Sequence, residues 1–284
     1  IVGALGLVSL LLGSVELGVK QYRSVSMVLL LSAMALALLA VNLQLHMSPY
    51  KSLPQILRID GTEVIERDSS PFGLVSIVDS RNVPFRHAPG LSLSSTAEPL
   101  PQLGVLTDGD NMTVITQAAE DPSQLVYLDQ VTSALPYHLV DPRSVLIVGA
   151  GGGTDILQAL FHANNSKISA TIDAVELNPQ LVDIVGQRYS EFNGDLFQHP
   201  GVEVHTGDVR GYLSQNQEKY DLIQLSLMDA FNASSSGLYA LNENYLYTVE
   251  ALKLYLEKLE PDGILSLTRW VKMPPRDTLK LFAT

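Results

Sequence analysis

The sequence predicts an α/β fold, a parallel sheet with helices wound on both faces. Three observations predict it. A glycine-rich turn follows an apolar strand directly, two later strands end in an acid, and apolar strands recur between helical stretches.

The first element is Val145-Leu-Ile-Val148, which runs into Gly149-Ala-Gly-Gly-Gly153, with a helical pattern starting at Thr154. That is a buried strand, a tight loop and a helix N-terminus. Gly149, Gly151 and Gly153 let the backbone turn and let a ligand approach, and the N–H groups that follow are expected to face that ligand. The second element, Ile172–Glu176, is a strand ending in Glu176, placed to accept hydrogen bonds from ribose hydroxyls. Asn178 reads as a helix N-cap and Pro179 as the first helical residue. The third, from Val202, ends at Gly207-Asp208, where Asp208 can accept from an adenine amino group. Tyr220–Ser226 is the fourth strand. Gly263–Arg269 is the fifth, after a long helix over 239–257 and a Pro261-Asp-Gly turn. In such sheets the ligand lies beyond the carboxyl ends of the strands. Thr154 stands where a dinucleotide fingerprint wants glycine. That, with the Gly-Asp pair, points away from NAD and toward an adenosyl-sulfonium ligand.

Before this core, residues 47–125 carry short β-rich runs separated by Pro- and Ser-rich loops, a small β-domain. Residues 126–284 form the nucleotide-binding domain. Residues 1–46 are expected to be membrane-embedded. The stretch 24–45 carries no charge and is long enough to cross a hydrocarbon core of about 30 Å. Residues 1–19 read as the end of a preceding span interrupted by Glu16. The chain is then expected to be a piece of a multi-pass membrane protein, with its globular part in the cytoplasm, where S-adenosylmethionine is made.

The chain has 18 basic and 30 acidic residues, a net charge of −12, and nearly all of that charge lies beyond residue 46. An acidic surface argues against a nucleic-acid partner and is compatible with a cationic substrate. There is no cysteine, which excludes disulfides, thiol nucleophiles and thiolate metal sites. The histidines show no metal-ligand spacing, so no metal is expected.

In this order and spacing the motifs resemble the spermidine synthase family (polyamine aminopropyltransferases). The resemblance implies a Rossmann-like class I methyltransferase fold, preceded by a small β-domain and expected here to be truncated at its C-terminal end. It covers Glu66–Phe72 on the substrate side, the Leu106–Gly109 turn, Tyr127-Leu-Asp129, the 145–154 loop, Glu176, Gly207-Asp208 and the strand from Tyr220. It implies Tyr127 and Asp129 as substrate residues, and Gly149, Gly151, Gly153, Glu176 and Asp208 as the nucleotide site. The family's loop acid is Gly152 here, its strand-end aspartate is Ser226, and its motif histidine is Leu128. A cationic amine must lose a proton before it can be alkylated. Asp229 or Ser226 is the candidate for that work, and Asp155, one turn into the helix, can stand in for the loop acid. Three readings stay open. One is an aminopropyltransferase using decarboxylated S-adenosylmethionine. The second is a methyltransferase using S-adenosylmethionine, whose carboxylate would sit on loop N–H groups. The third is a non-catalytic nucleotide-binding module. The partner is a small-molecule amine or other acceptor, and a homo-oligomer is compatible with all three.

Overall fold

A computed structural model describes residues 32–33, 47–227, 245–271 and 273–284. A short helix, α1 (Ser52–Ile56), leads into four strands: β1 (Thr62–Ser70), β2 (Gly73–Ser80), β3 (Gln102–Thr107) and β4 (Asp110–Thr116). They pair antiparallel in the order β1-β2-β3-β4. Asp108 and Gly109, both at positive φ, form the two-residue β3–β4 turn, the conformation an Asp-Gly pair favours.

After two 3₁₀ segments, Pro122–Asp129 and Thr132–His138, comes the α/β part. Its elements are β5 (Ser144–Val148), α2 (Thr154–Ser166), β6 (Thr171–Glu176) and α3 (Pro179–Asp183), extended by a π turn over Ile184–Arg188. Then follow α4 (Ser190–Asn193), β7 (Val202–Thr206), α5 (Val209–Gln215), β8 (Tyr220–Ser226), α6 (Val249–Glu257), β9 (Leu259–Thr268) and α7 (Arg276–Ala283). The five strands are parallel in the order β7-β6-β5-β8-β9. The α/β architecture is therefore the one expected, with the strand order reversing between β5 and β8.

Successive residues of a strand face opposite sides, and β5 shows the consequence. Val145 and Ile147 join a core that also holds Val75, Val105 and Ile115 of the antiparallel sheet. Leu146 and Val148 join a second core with Val209, Leu213, Ala251 and Tyr255 of α5 and α6. Because apolar residues of both sheets share the first core, Pro49–Thr284 packs as one unit.

Arg188 adds a polar tie between the two sheets. Its guanidinium pairs with Glu66 and, at 2.6 Å, with Asp68, both on β1, and with Asp183 at 2.7 Å. Hydrogen bonding to Arg188 holds the Asp68 carboxyl below its usual range, so the contribution of this pair is present at neutral pH and is lost on strong acidification. Arg188→Ala is expected to lower the melting temperature more at low salt than at high salt. Equal losses at both would assign the effect to packing.

Three expectations are corrected. The multi-pass membrane placement is overturned, because no helix among the described residues is long and apolar enough to cross a membrane. The stretches 1–19 and 24–45 that prompted it lie outside the described residues, apart from residues 32–33. Of the helix expected over 239–257, residues 239–244 lie outside the described residues, and the helix ending at Glu257 starts at Val249, where the Thr248 hydroxyl accepts from the Ala251 N–H at 3.2 Å and caps it. The Pro261-Asp-Gly turn is a stretch looped out within β9, where the pairing jumps from Tyr220–Leu259 to Leu222–Ile264.

Candidate active site

The glycine loop, Glu176, Asp208 and Ser226 all lie at the carboxyl ends of β5–β8. Glu176 is 8% exposed. Its Oε2 accepts from the Gly151 N–H at 3.0 Å and its Oε1 from the Asn178 N–H at 2.9 Å. Burial raises its pKa, and the hydrogen bonds from Asn178 and Gly151 oppose that rise. A carboxylate offers about four acceptor sites, so capacity for ribose hydroxyls remains. Asn178 and Pro179 start α3 as expected, with the Asn178 side chain accepting from the Gln180 N–H. Asp208 caps α5 by accepting from the Gly211 N–H at 3.0 Å through Oδ1, and is otherwise exposed.

The glycine N–H groups of the loop are spent inside the protein, ahead of the helix whose own first N–H groups are the ones expected to face a ligand. Gly151 donates to Glu176, Gly152 donates to Thr113 Oγ1 at 3.0 Å, and Gly153 donates to the Ala150 carbonyl at 2.8 Å. Gly149 donates to Val175. Gly152 also lies hard against β4. A Cβ built there would sit 2.0 Å from the Val114 carbonyl oxygen. The position where the family carries an acid is therefore filled by backbone of the small sheet.

Ser226 ends β8 in a polar chain that runs through the core. Its Oγ accepts from Gln224 Nε2 at 3.1 Å. The same amide donates to Gln158 Oε1 at 3.1 Å, and Gln158 donates to the Leu128 carbonyl at 2.8 Å. The Tyr137 hydroxyl donates to Gln224 Oε1 at 2.8 Å. Asp155, in the first turn of α2, lies beside Ser226 and Gln224. Protein surrounds this carboxyl densely, yet part of the residue stays open. Burial pushes its pKa up to about 6, against the pull of the hydrogen bonds from Ser226 and then Gln224. In the sequence Gln224 looks merely structural, and Gln158 and Tyr137 do not stand out. Their only local signal is a polar residue where the strand or helix pattern calls for an apolar one.

The substrate expectations separate. Tyr127 is 1% exposed and packs with Leu125, Leu128 and Phe161, so it is a core residue rather than an open substrate contact. Burial pushes its hydroxyl up to about 12, with Thr116 beside it. Asp129 is partly exposed and pairs with His138 Nε2 at 3.0 Å, while His162 stacks flat on Tyr137 at 4.5 Å. Asp229 lies outside the described residues, as does the whole of the 228–239 segment around it.

Two other features lie off this edge. A cavity of about 220 Å³ between β4, α2 and the 193–199 segment touches the glycine loop from its far side, away from Glu176 and Ser226. Asp173, Glu203 and His205 bring ligand atoms within 4.8 Å of one another. Linear spacing missed that grouping because neighbouring strands supply it.

Residues 126–273, just over half of the chain, match the family model for the spermine/spermidine synthase domain. The polyamine aminopropyltransferase of Nitrosomonas europaea is 26% identical over 64% of this chain and 50% of its own length. Polyamine aminopropyltransferase 2 of Pseudomonas aeruginosa is 26% identical over 53% of this chain and 40% of its own. The chain thus spans about half the length, or less, of these curated relatives. The solved spermidine synthase of Thermotoga maritima is 16% identical, with a TM-score of 0.48, over 72% of this chain and 56% of that one. On the extent of the domain match, the chain belongs to the spermine/spermidine synthase family.

Proposed function

We propose that this chain is a polyamine aminopropyltransferase, moving an aminopropyl group from decarboxylated S-adenosylmethionine to an amine. The observation that carries this reading is the state of the loop N–H groups. S-adenosylmethionine brings a carboxylate that needs donors at the glycine loop. The N–H groups of Gly151, Gly152 and Gly153 are already committed inside the protein. Freeing one leaves Glu176, Thr113 or Ala150 short of a partner, at a cost comparable to a lost hydrogen bond. The decarboxylated donor carries no such group, so nothing has to be broken. The same argument disfavours the methyl-transfer reading.

In this reading Glu176 holds the ribose, the free oxygen of Asp208 takes the adenine amino group, and the loop backs the sulfonium. The donor supplies a carbon made electrophilic by the positive sulfur. The acidic chain suits a cationic acceptor.

Calorimetry on the full chain tests the reading, with decarboxylated S-adenosylmethionine, S-adenosylmethionine and NAD as titrants. The decarboxylated donor is expected to bind at least about tenfold more tightly than the others. Glu176→Gln is expected to weaken it about tenfold or more, the effect of one charged hydrogen bond. Preference for S-adenosylmethionine would move the assignment to methyl transfer. Binding of none of the three, in a folded sample, would sink the reading.

A further inference from the structure

We infer that Asp155 is the carboxylate that takes the proton from the attacking amine, replacing the acids the family places at the positions of Gly152 and Ser226. The inference rests on the aminopropyl-transfer reading above and assigns that site its base.

The position is the first argument. Strand order reverses between β5 and β8, and in open α/β sheets the ligand crevice lies at that reversal. Asp155 opens the helix that follows the loop after β5, Ser226 ends β8, and the two residues are neighbours at that reversal.

The polar chain is the second argument. Tyr137 donates to Gln224 Oε1, which fixes the amide so that its NH₂ group faces Gln158 and Ser226. Ser226 Oγ therefore already accepts a hydrogen bond, and its own proton is free to turn toward the neighbouring Asp155. A buried chain with each member satisfied is rigid, so it holds the carboxylate in one orientation.

Charge is the third argument. Burying a carboxylate without a cation is costly. The groups acting on Asp155 are the neutral Ser226 and Gln224, and the titratable neighbour is Tyr137, whose hydroxyl burial and then the Asp155 charge keep protonated. Among the described residues, no lysine or arginine acts on Asp155. A carboxylate of raised pKa at the reversal point of the sheet, with neutral described neighbours, is the state expected of a base that receives a cationic substrate.

The chemistry balances. The amine arrives as an ammonium, and the Asp155 carboxylate accepts one N–H proton. The freed lone pair attacks the aminopropyl carbon bonded to sulfur. That C–S bond breaks, and its electron pair leaves sulfur as a neutral thioether. The new C–N bond makes the nitrogen a secondary ammonium. Asp155 then gives its proton to water.

The test measures transfer from decarboxylated S-adenosylmethionine to 1,4-diaminobutane by the full chain, across pH 5 to 9. Each variant's donor Kd is measured alongside. Asp155→Asn is expected to lower kcat about 100-fold or more, with donor Kd within about twofold of wild type, and to abolish the acid limb. Ser226→Ala removes a hydrogen bond that lowers the Asp155 pKa, so it moves the acid limb to higher pH. Asp155→Glu is expected to recover part of the rate. Wild-type kcat with an unchanged acid limb in Asp155→Asn would overturn the assignment and leave the transferase reading standing. A wild-type chain that binds donor and transfers to no diamine would overturn that reading, and the assignment with it.

Discussion

Gly152→Ala is expected to cost about 3 kcal/mol of stability or more, the upper end for overpacking. The neighbour is backbone: the added carbon would stand 2.0 Å from the Val114 carbonyl oxygen and 2.4 Å from its carbon. A long side chain could swing away, but a strand carbonyl moves only with its strand. Val114 pairs with Gly104 of β3, and Ile115 beside it belongs to the shared core. The Gly152 N–H bond to Thr113 Oγ1 would be lost with the shift. Denaturant titration of both proteins reads the difference, and an unchanged midpoint would mean that β4 does not lie on the loop in solution. Restoring the family acid with Gly152→Asp meets the same collision, so a failure of that variant to gain activity says nothing about the chemistry.

Asp155→Asn is expected to stabilise the protein at pH 8 by about 2 kcal/mol while it removes activity. The sign follows from linkage. The ordinary pKa of this carboxyl is 3.8, and burial pushes it up to about 6 in the folded chain. Between those values the folded state binds the proton more strongly than the unfolded one, so wild-type stability falls as pH rises from about 4 to 6 and then levels. A tenfold difference in proton affinity between the two states is worth about 1.4 kcal/mol, and the open part of the residue reduces the total. Asparagine carries no charge to bury and keeps a carbonyl oxygen for Ser226. The variant and wild type should therefore unfold alike at pH 4 and diverge above pH 6, measured by urea titration at both. Equal stability at pH 8 would show that Asp155 has its negative charge compensated in the folded protein.

The two predictions share an origin. At Gly152 the packing of β4 closes the place where the family keeps an acid. One turn later, Asp155 keeps a carboxylate at the same crevice and accepts a stability penalty for it. The missing strand-end acid at Ser226 is part of the same arrangement, since Ser226 is the neighbour that acts on Asp155.

How much of this was legible in the sequence depended on how local each signal is. The strands at 145–148, 172–176, 202–206 and 220–226 came through with their ends nearly in place, because a short apolar run and a glycine or acid after it are adjacent in the chain. The Asn178 cap and the Asp108-Gly109 turn were readable for the same reason. The burial of Tyr127 was not readable because a motif position says nothing about which way a 3₁₀ turn faces, and that turn packs it with Phe161. The Pro261-Asp-Gly turn was misread because a strand can loop residues out and resume its pairing.

The sequence by itself determined the α/β architecture and which residues reach the carboxyl edge of the sheet, because alternation, glycine turns and strand ends are written within a few residues of one another. Only the tertiary structure decided that β4 covers Gly152 and that the loop N–H groups are already bonded. It alone decided that Asp155 lies beside Ser226, at the end of a chain that runs through Tyr137, Gln224 and Gln158. Those contacts join residues tens of positions apart, and their distances are set by how two sheets and a helix pack on a shared core, which no local pattern encodes.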